Sequence, residues 1–184
     1  MDNGDANDRV YTSNRRSDYQ NTIDHHEKRL KIAQEISHRS EKGAAYKNLG
    51  NAYLSLVDYR KAIQYHEKHL KIAQEIGDRS EEGAAYGNPG NAYLSLDDYR
   101  KAIDYHEKLL KIAQEIGDRF GEGRAYGYLG NACDLAGDYR KAIEYSQKFL
   151  KIAQEIGDRS GEGEAYGNLG RAYLSLWDYR KAIE

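Results

Sequence analysis

Four copies of one pattern, set 40 residues apart, constrain this chain more than any other feature of its sequence. Tyr59, Tyr99, Tyr139 and Tyr179 keep that interval, and so do Ala62, Ala102, Ala142 and Ala182. The stretch from Gly43 to Asp78 returns nearly unchanged from Gly83 and from Gly123, and an incomplete copy starts at Gly163. A fixed period of about 20–50 residues marks stacked supersecondary units, none of which buries its apolar face alone.

Within each copy the apolar residues fall at helical spacings. From Asp18, the residues Tyr19, Thr22, Ile23, His26, Leu30, Ala33 and Ile36 share one face. The copies from Tyr59, Tyr99 and Tyr139 repeat that face, which predicts a second helix of about 18 residues in every unit. Gly77, Gly117 and Gly157 suit a left-handed stop, and Ser80 or Ser160 is the expected N-cap of the helix that follows. Ala45, Tyr46, Leu49, Gly50, Tyr53 and Leu56 form the stripe of the other, first helix. Glycine inside a helix costs about 1 kcal/mol against alanine, so its recurrence at 50, 90, 130 and 170 predicts close approach of the partner helix. Ala62 and His66 are expected on one side of the second helix, with Tyr65, His69 and Ile72 turned toward a neighbouring unit.

The predicted fold class is all-α: an α-solenoid of stacked antiparallel helical hairpins wound as a right-handed superhelix. Residues 1–17 are polar, lack the stripe, and are expected to form a disordered or poorly ordered tail. The array covers 18–184: the second helix of a partial unit at 18–38, complete units at 41–78, 81–118 and 121–158, and a truncated unit at 161–184. Pro89 stands where other copies have leucine and predicts a kink or a delayed helix start near Asn88. Cys133-Asp134-Leu135-Ala136 replaces Tyr-Leu-Ser-Leu and predicts looser packing in the third unit. Val57, Asp97 and Trp177 occupy the turn position where Gly137 tolerates positive φ. The last unit stops one turn into its second helix with no polar cap, which reads as a fragment of a longer array and predicts self-association through uncapped ends.

Composition narrows the function classes. Charged residues make up 32% and nearly cancel, at a net charge of −2, so the basic excess of a nucleic-acid footprint is missing. No apolar run is long enough to span a membrane and the amino terminus lacks a signal-peptide core, so a cytoplasmic protein without membrane insertion is expected. Cys133 is the one cysteine, which rules out an intrachain disulfide.

The unit resembles a tetratricopeptide repeat on Tyr46, Leu49-Gly50, Tyr53 and Ala62 and their equivalents. Its 40-residue length and the phrase NLGNAYLSL…DYRKAI…LKIAQEIGDR are similar to the repeats of the Pins/LGN G-protein-signalling modulators and of tetratricopeptide repeat protein 28. The resemblance covers residues 18–184 and implies that the first helices line a concave, partner-binding groove. On that face stand Lys47, Asn48, Asn51 and Ser55, then Asn88, Asn91 and Ser95. Arg124, Tyr128, Asn131 and Asp134 follow, and last Glu164, Asn168 and Arg171. The implied function is a non-catalytic scaffold or adaptor that holds a peptide or helical segment of a protein partner, with polarity or G-protein-linked signalling implied by the modulators. Two alternatives stand beside it. One is a carboxylate clamp for acidic C-termini, for which Lys47, Asn51, Asn88 and Arg124 match in type and Tyr128 does not. The other is a regulatory array attached to an effector domain.

No catalytic, cofactor or metal site is expected. Gly121-Glu122-Gly123 and Gly161-Glu162-Gly163 precede predicted helices but follow helical sequence, not the strand that a dinucleotide fingerprint needs. His66 and His69 lie three apart without converging ligands, and packing at the edge of the core is the expected role of His66. Cys133 is expected to pack as a small residue.

Overall fold

The computed structural model describes residues 3–176, with side chains from Tyr19 onward. These residues form eight α-helices and no strand: α1 (Asn3–Glu35), α2 (Arg39–Ser55), α3 (Tyr59–Ile76), α4 (Arg79–Leu94), α5 (Tyr99–Ile116), α6 (Arg119–Leu135), α7 (Tyr139–Ile156) and α8 (Arg159–Ser175). Two compact units follow one another, Met1–Ile76 and Gly77–Glu184. In the first, α2 and α3 form an antiparallel hairpin and α1 packs on α2. In the second, α4/α5 and α6/α7 are hairpins, α6 touches both α4 and α8, and α8 packs on α7.

The second-type helices α3, α5 and α7 are the 18-residue amphipathic segments that the periodicity predicts. The first-type helices bury glycine and alanine on more than one side: Gly43, Ala45, Leu49, Gly50 and Ala52 in α2, for example. A helix packed on two faces has no single apolar stripe, and small residues let both neighbours approach.

Each hairpin is fastened by the residue that faces its glycine. His66 is fully buried, and its ring lies so close to α2 that a Cβ on Gly50 would stand 2.4 Å from Cε1. His106 meets Gly90 in the same way, also at 2.4 Å. Glycine recurs in these two hairpins because an imidazole rests on the backbone of the first helix. His66 is thus a core residue and not one at its edge. Ile72 and His69 also belong to this contact, at 3.0 and 3.8 Å from a Cβ on Gly43. Both side chains thus pack within their own hairpin, where the missing glycine side chain lets the second helix approach the first. Tyr65 stacks on Tyr53, ring centroids 5.4 Å apart, lies beside Tyr46, and packs against the cluster that Ile23 of α1 shares with Leu49 and Ala52, so it also meets the neighbouring partial unit.

The turns depart from expectation in one respect. Gly77, Gly117 and Gly157 are left-handed, with φ of 79°, 72° and 73°. The N-caps, however, are Asp78, Asp118 and Asp158, whose carboxylates accept from the backbone N–H of Glu81, Gly121 and Gly161. Ser80 and Ser160 lie inside the first turn, because the aspartate directly after the left-handed glycine already occupies the cap position. The Gly-Glu-Gly runs therefore lie within α6 and α8 and do not precede them.

α1 extends upstream to Asn3, over the stretch where a tail is expected. Lengthening an existing helix needs no new nucleus, so the amphipathic segment carries a polar one along with it. Pro89 does not delay α4, which begins at Arg79 and runs through it. The proline ring is fully buried at the position of Leu49 and Leu129, and that burial offsets part of the lost hydrogen bond. Val57 and Asp97 take the positive φ that Gly137 shows, at 62° and 58° against 80°; Trp177 lies outside the described residues.

Candidate partner-binding face

The polar residues singled out on the first-type helices divide between the two units. On α2, Lys47 and Asn48 are half-buried, while Asn51 and Ser55 are exposed. The Ser55 hydroxyl donates to the Asn51 carbonyl at 3.2 Å. Lys47 acts electrostatically on His66: burial first, then the charges of His69 and Lys47, hold that imidazole down to about pKa 4.

On the second unit, Asn88 and Asn91 are half-buried along α4, and the Ser95 hydroxyl donates to the Asn91 carbonyl. Arg124 of α6 donates to Tyr128 Oη at 2.6 Å, and its guanidinium lies over the rings of Phe120 and Tyr128. Tyr128 in turn stands 4.9 Å, centroid to centroid, from the buried His106. Further along, Arg171 of α8 gathers three of the expected residues. It donates to Asn168 Oδ1 at 2.7 Å and to Asn131 Oδ1 at 3.1 Å, and its Nε lies 3.4 Å from Asp134 Oδ2. Asp134 Oδ1 and Asn168 Nδ2 remain buried without a partner. Burying this acceptor and donor unpaired costs stability.

This face thus holds two polar clusters, Arg124–Tyr128 and Asn131–Asp134–Asn168–Arg171, with Asn88 and Asn91 on α4. Sequence spacing places these residues on one helix face but not in mutual contact. Phe120 and the cleft beneath it escape that reasoning. Phe120 stands where the other copies have Ser40, Ser80 and Ser160, so the disagreement among copies is the available signal.

His66 and His106 are fully buried, and neither ring nitrogen of either has a partner. Cys133 is 2% exposed among Ala142 and Ala172, and burial pushes its thiol up to about pKa 11. Among the described residues no group of three or more His, Cys, Asp or Glu is placed to hold a metal ion, and no helix is long and apolar enough to cross a membrane.

Several solved structures share this arrangement. The chain aligns with BtubC (BKLC) from P. vanneervenii at 21% identity and a TM-score of 0.82, over 90% of this chain and 69% of that one. It aligns with the putative kinesin light chain nearly identical repeats of Podosopora anserina at 17% identity and a TM-score of 0.76, covering 95% and 86%. A Rap protein complexed with competence and sporulation factor matches at 18% identity and a TM-score of 0.68, covering 90% and 56%. These likenesses establish the fold. No curated protein matches the chain. The family model for the tetratricopeptide repeat matches residues 9–75, 81–155 and 136–184. With nearly its whole length matched, and with its helices paired as the repeat requires, the chain belongs to the tetratricopeptide repeat family.

Proposed function

We propose that the chain is a non-catalytic scaffold or adaptor module whose first-type helices bind an extended peptide or helical segment of a protein partner. The observation that carries this reading is the face of the second unit. Asn88, Asn91 and Asn131 present amides that both donate and accept, beside the Arg124–Tyr128 and Arg171 clusters. A Rap protein of the same fold is complexed with competence and sporulation factor, which supports ligand binding by this fold. The resemblance to the Pins/LGN modulators extends the reading to a cytoplasmic, polarity or G-protein-linked adaptor.

A photo-crosslinking amino acid at Asn91 or Asn131, compared with one at exposed Lys111 on α5, tests the reading. Crosslinks to a discrete protein at the first two positions and not at Lys111 are expected; equal labelling at all three sites overturns it.

The clamp for acidic C-termini is a second reading, favoured by Asn88 and Arg124 on neighbouring first-type helices. A peptide with a free carboxylate then binds more tightly than its C-terminal amide, and equal affinity excludes the clamp.

A further inference from the structure

We propose that a cleft between α4, α5 and α6 seats one aliphatic side chain of the bound peptide, with an acidic residue of that peptide paired to Arg124. This rests on the peptide-binding reading above and names the chemistry of the peptide.

The cleft measures about 90 Å³ and lies wholly in the second unit. Leu109 and Ile112 form its buried floor, Gly87 opens the α4 side, and Ile116, Phe120 and Arg124 surround its mouth. It exists because the copies differ here. Phe120 holds the register of Ser40, Ser80 and Ser160, and Arg124 that of Ala44, Ala84 and Glu164, while Gly87 is a glycine like Gly127 and Gly167 where the first copy has Lys47. One hairpin along, the equivalent space is filled: the Phe149 ring lies 3.0 Å from a Cβ on Gly127, whereas Leu109 leaves 3.6 Å at Gly87.

Phe120 and Arg124 both depart from the repeat at one opening, and exposure supplies a common cause. Phe120 is 54% exposed and Ile116 41%, two large apolar side chains held in water at the rim of an apolar hole. Leaving such area uncovered forgoes about 25 cal/mol per Å², which a side chain seated in the cleft recovers. The volume selects the occupant. At about 90 Å³ the cleft suits a single side chain and is well below the roughly 300 Å³ or more of a small-molecule site.

Charge fixes the neighbouring residue. Arg124 stacks on two rings and gives one hydrogen bond to Tyr128 Oη, and among the described residues it pairs with no carboxylate. Its guanidinium has five donors, and a carboxylate engages two of them side by side. Asp118, at the other lip, has its own carboxylate turned to the Gly121 amide as the cap of α6, so negative charge is repelled at that end. The acidic residue therefore lies on the Arg124 side of the anchor.

A random-peptide phage library panned on the full chain tests this, followed by titration of one labelled enriched peptide. Enrichment of Leu, Ile or Met within about two residues of Asp or Glu is expected, the reach of one arginine side chain from its anchor. The variants Gly87→Lys, Phe120→Ser and Arg124→Glu each install the residue that a sister copy already carries at that register, and a Cβ at Gly87 meets only ordinary contacts. The first two are expected to weaken binding about tenfold or more, the loss of a single aliphatic anchor. Arg124→Glu is expected to exchange the acidic preference for a basic one. Replacing the peptide's aliphatic residue by Ser, or its Glu by Gln, gives the same losses against the unaltered protein and does not depend on how the variants fold. Enriched peptides that bind all variants equally overturn the cleft while leaving the peptide-binding face intact. A library that yields no binder overturns the face itself.

Discussion

The α4/α5 and α6/α7 hairpins follow one backbone plan and fill it differently. In the former, His106 rests on Gly90, Pro89 stands in the core, and Tyr93 stacks on Tyr105. In the latter, Ser146 takes the place of the imidazole, Leu129 that of the proline, and Cys133 that of the tyrosine, while Phe149 replaces Leu109. The repeat tolerates exchange of volume between positions provided the first helix keeps its glycine where the second crosses it. What changes is chemistry. One hairpin has a titratable ring sealed in its core and a leucine that leaves the cleft open; the other has a serine and a phenylalanine at those positions.

Acid gives the largest break in this comparison. Burial holds His106 to about pKa 4 against an ordinary 6.5, so the unfolded chain binds a proton that the folded chain refuses. The stability from the neutral ring is complete above about pH 6.5, falls as the pH drops toward 4, and is gone below that; the loss approaches about 3 kcal/mol. His66 adds a similar loss in the first unit, whereas Ser146 contributes none. Urea midpoints on the neutral side of pH 6.5 and near pH 4 should differ widely for the native chain and less for His106→Ser. Equal sensitivity in both proteins would show that the ring does not carry the effect.

Next comes the glycine beneath the ring. Gly90→Ala places a methyl 2.4 Å from His106 and should cost about 2 kcal/mol in a thermal melt, as overpacking does. Gly130→Ala meets the Ser146 hydroxyl at 2.8 Å, a smaller group, and should cost clearly less. Adding His106→Ser to Gly90→Ala should restore most of the loss, since it relieves the clash with a residue that α7 already uses. Persistence of the full penalty would locate the strain elsewhere.

The smallest effect lies in the turns. Val57, β-branched at a φ of 62°, holds a conformation that Gly137 adopts freely. Val57→Gly should raise stability by about 1 kcal/mol in urea titration, and a loss would mean that Val57 has packing value at the turn.

Much of this was legible in the residues themselves. Period and spacing specify helices and hairpins because each copy repeats the same burial problem. The left-handed glycines follow from a conformation few other residues adopt. Which side of α3 meets α2 was less legible, since Ala62, His66, His69 and Ile72 spread over an arc wide enough to admit two partners. Only the ring of His66 on Gly50 resolves it. Asp78 outcompeted Ser80 as a cap because a cap is set by backbone position, and residue preference alone admits both. The Arg171 cluster joins α6 to α8, and spacing within one helix carries no information about such a bond. Phe120 and Arg124 were visible as exceptions, but their cleft depends on what Gly87 leaves empty.

Cys133 has a consequence beyond packing. Its thiol sits beneath Ala142 and Ala172, contributed by α7 and α8, and is protonated at any ordinary pH. A reagent in solution reaches that sulfur when those helices part. The rate at which an alkylating agent consumes the thiol therefore times the breathing of this end of the second unit. The native chain thus contains its own stopwatch, needing no introduced label and sensitive to any ligand that holds α6, α7 and α8 together.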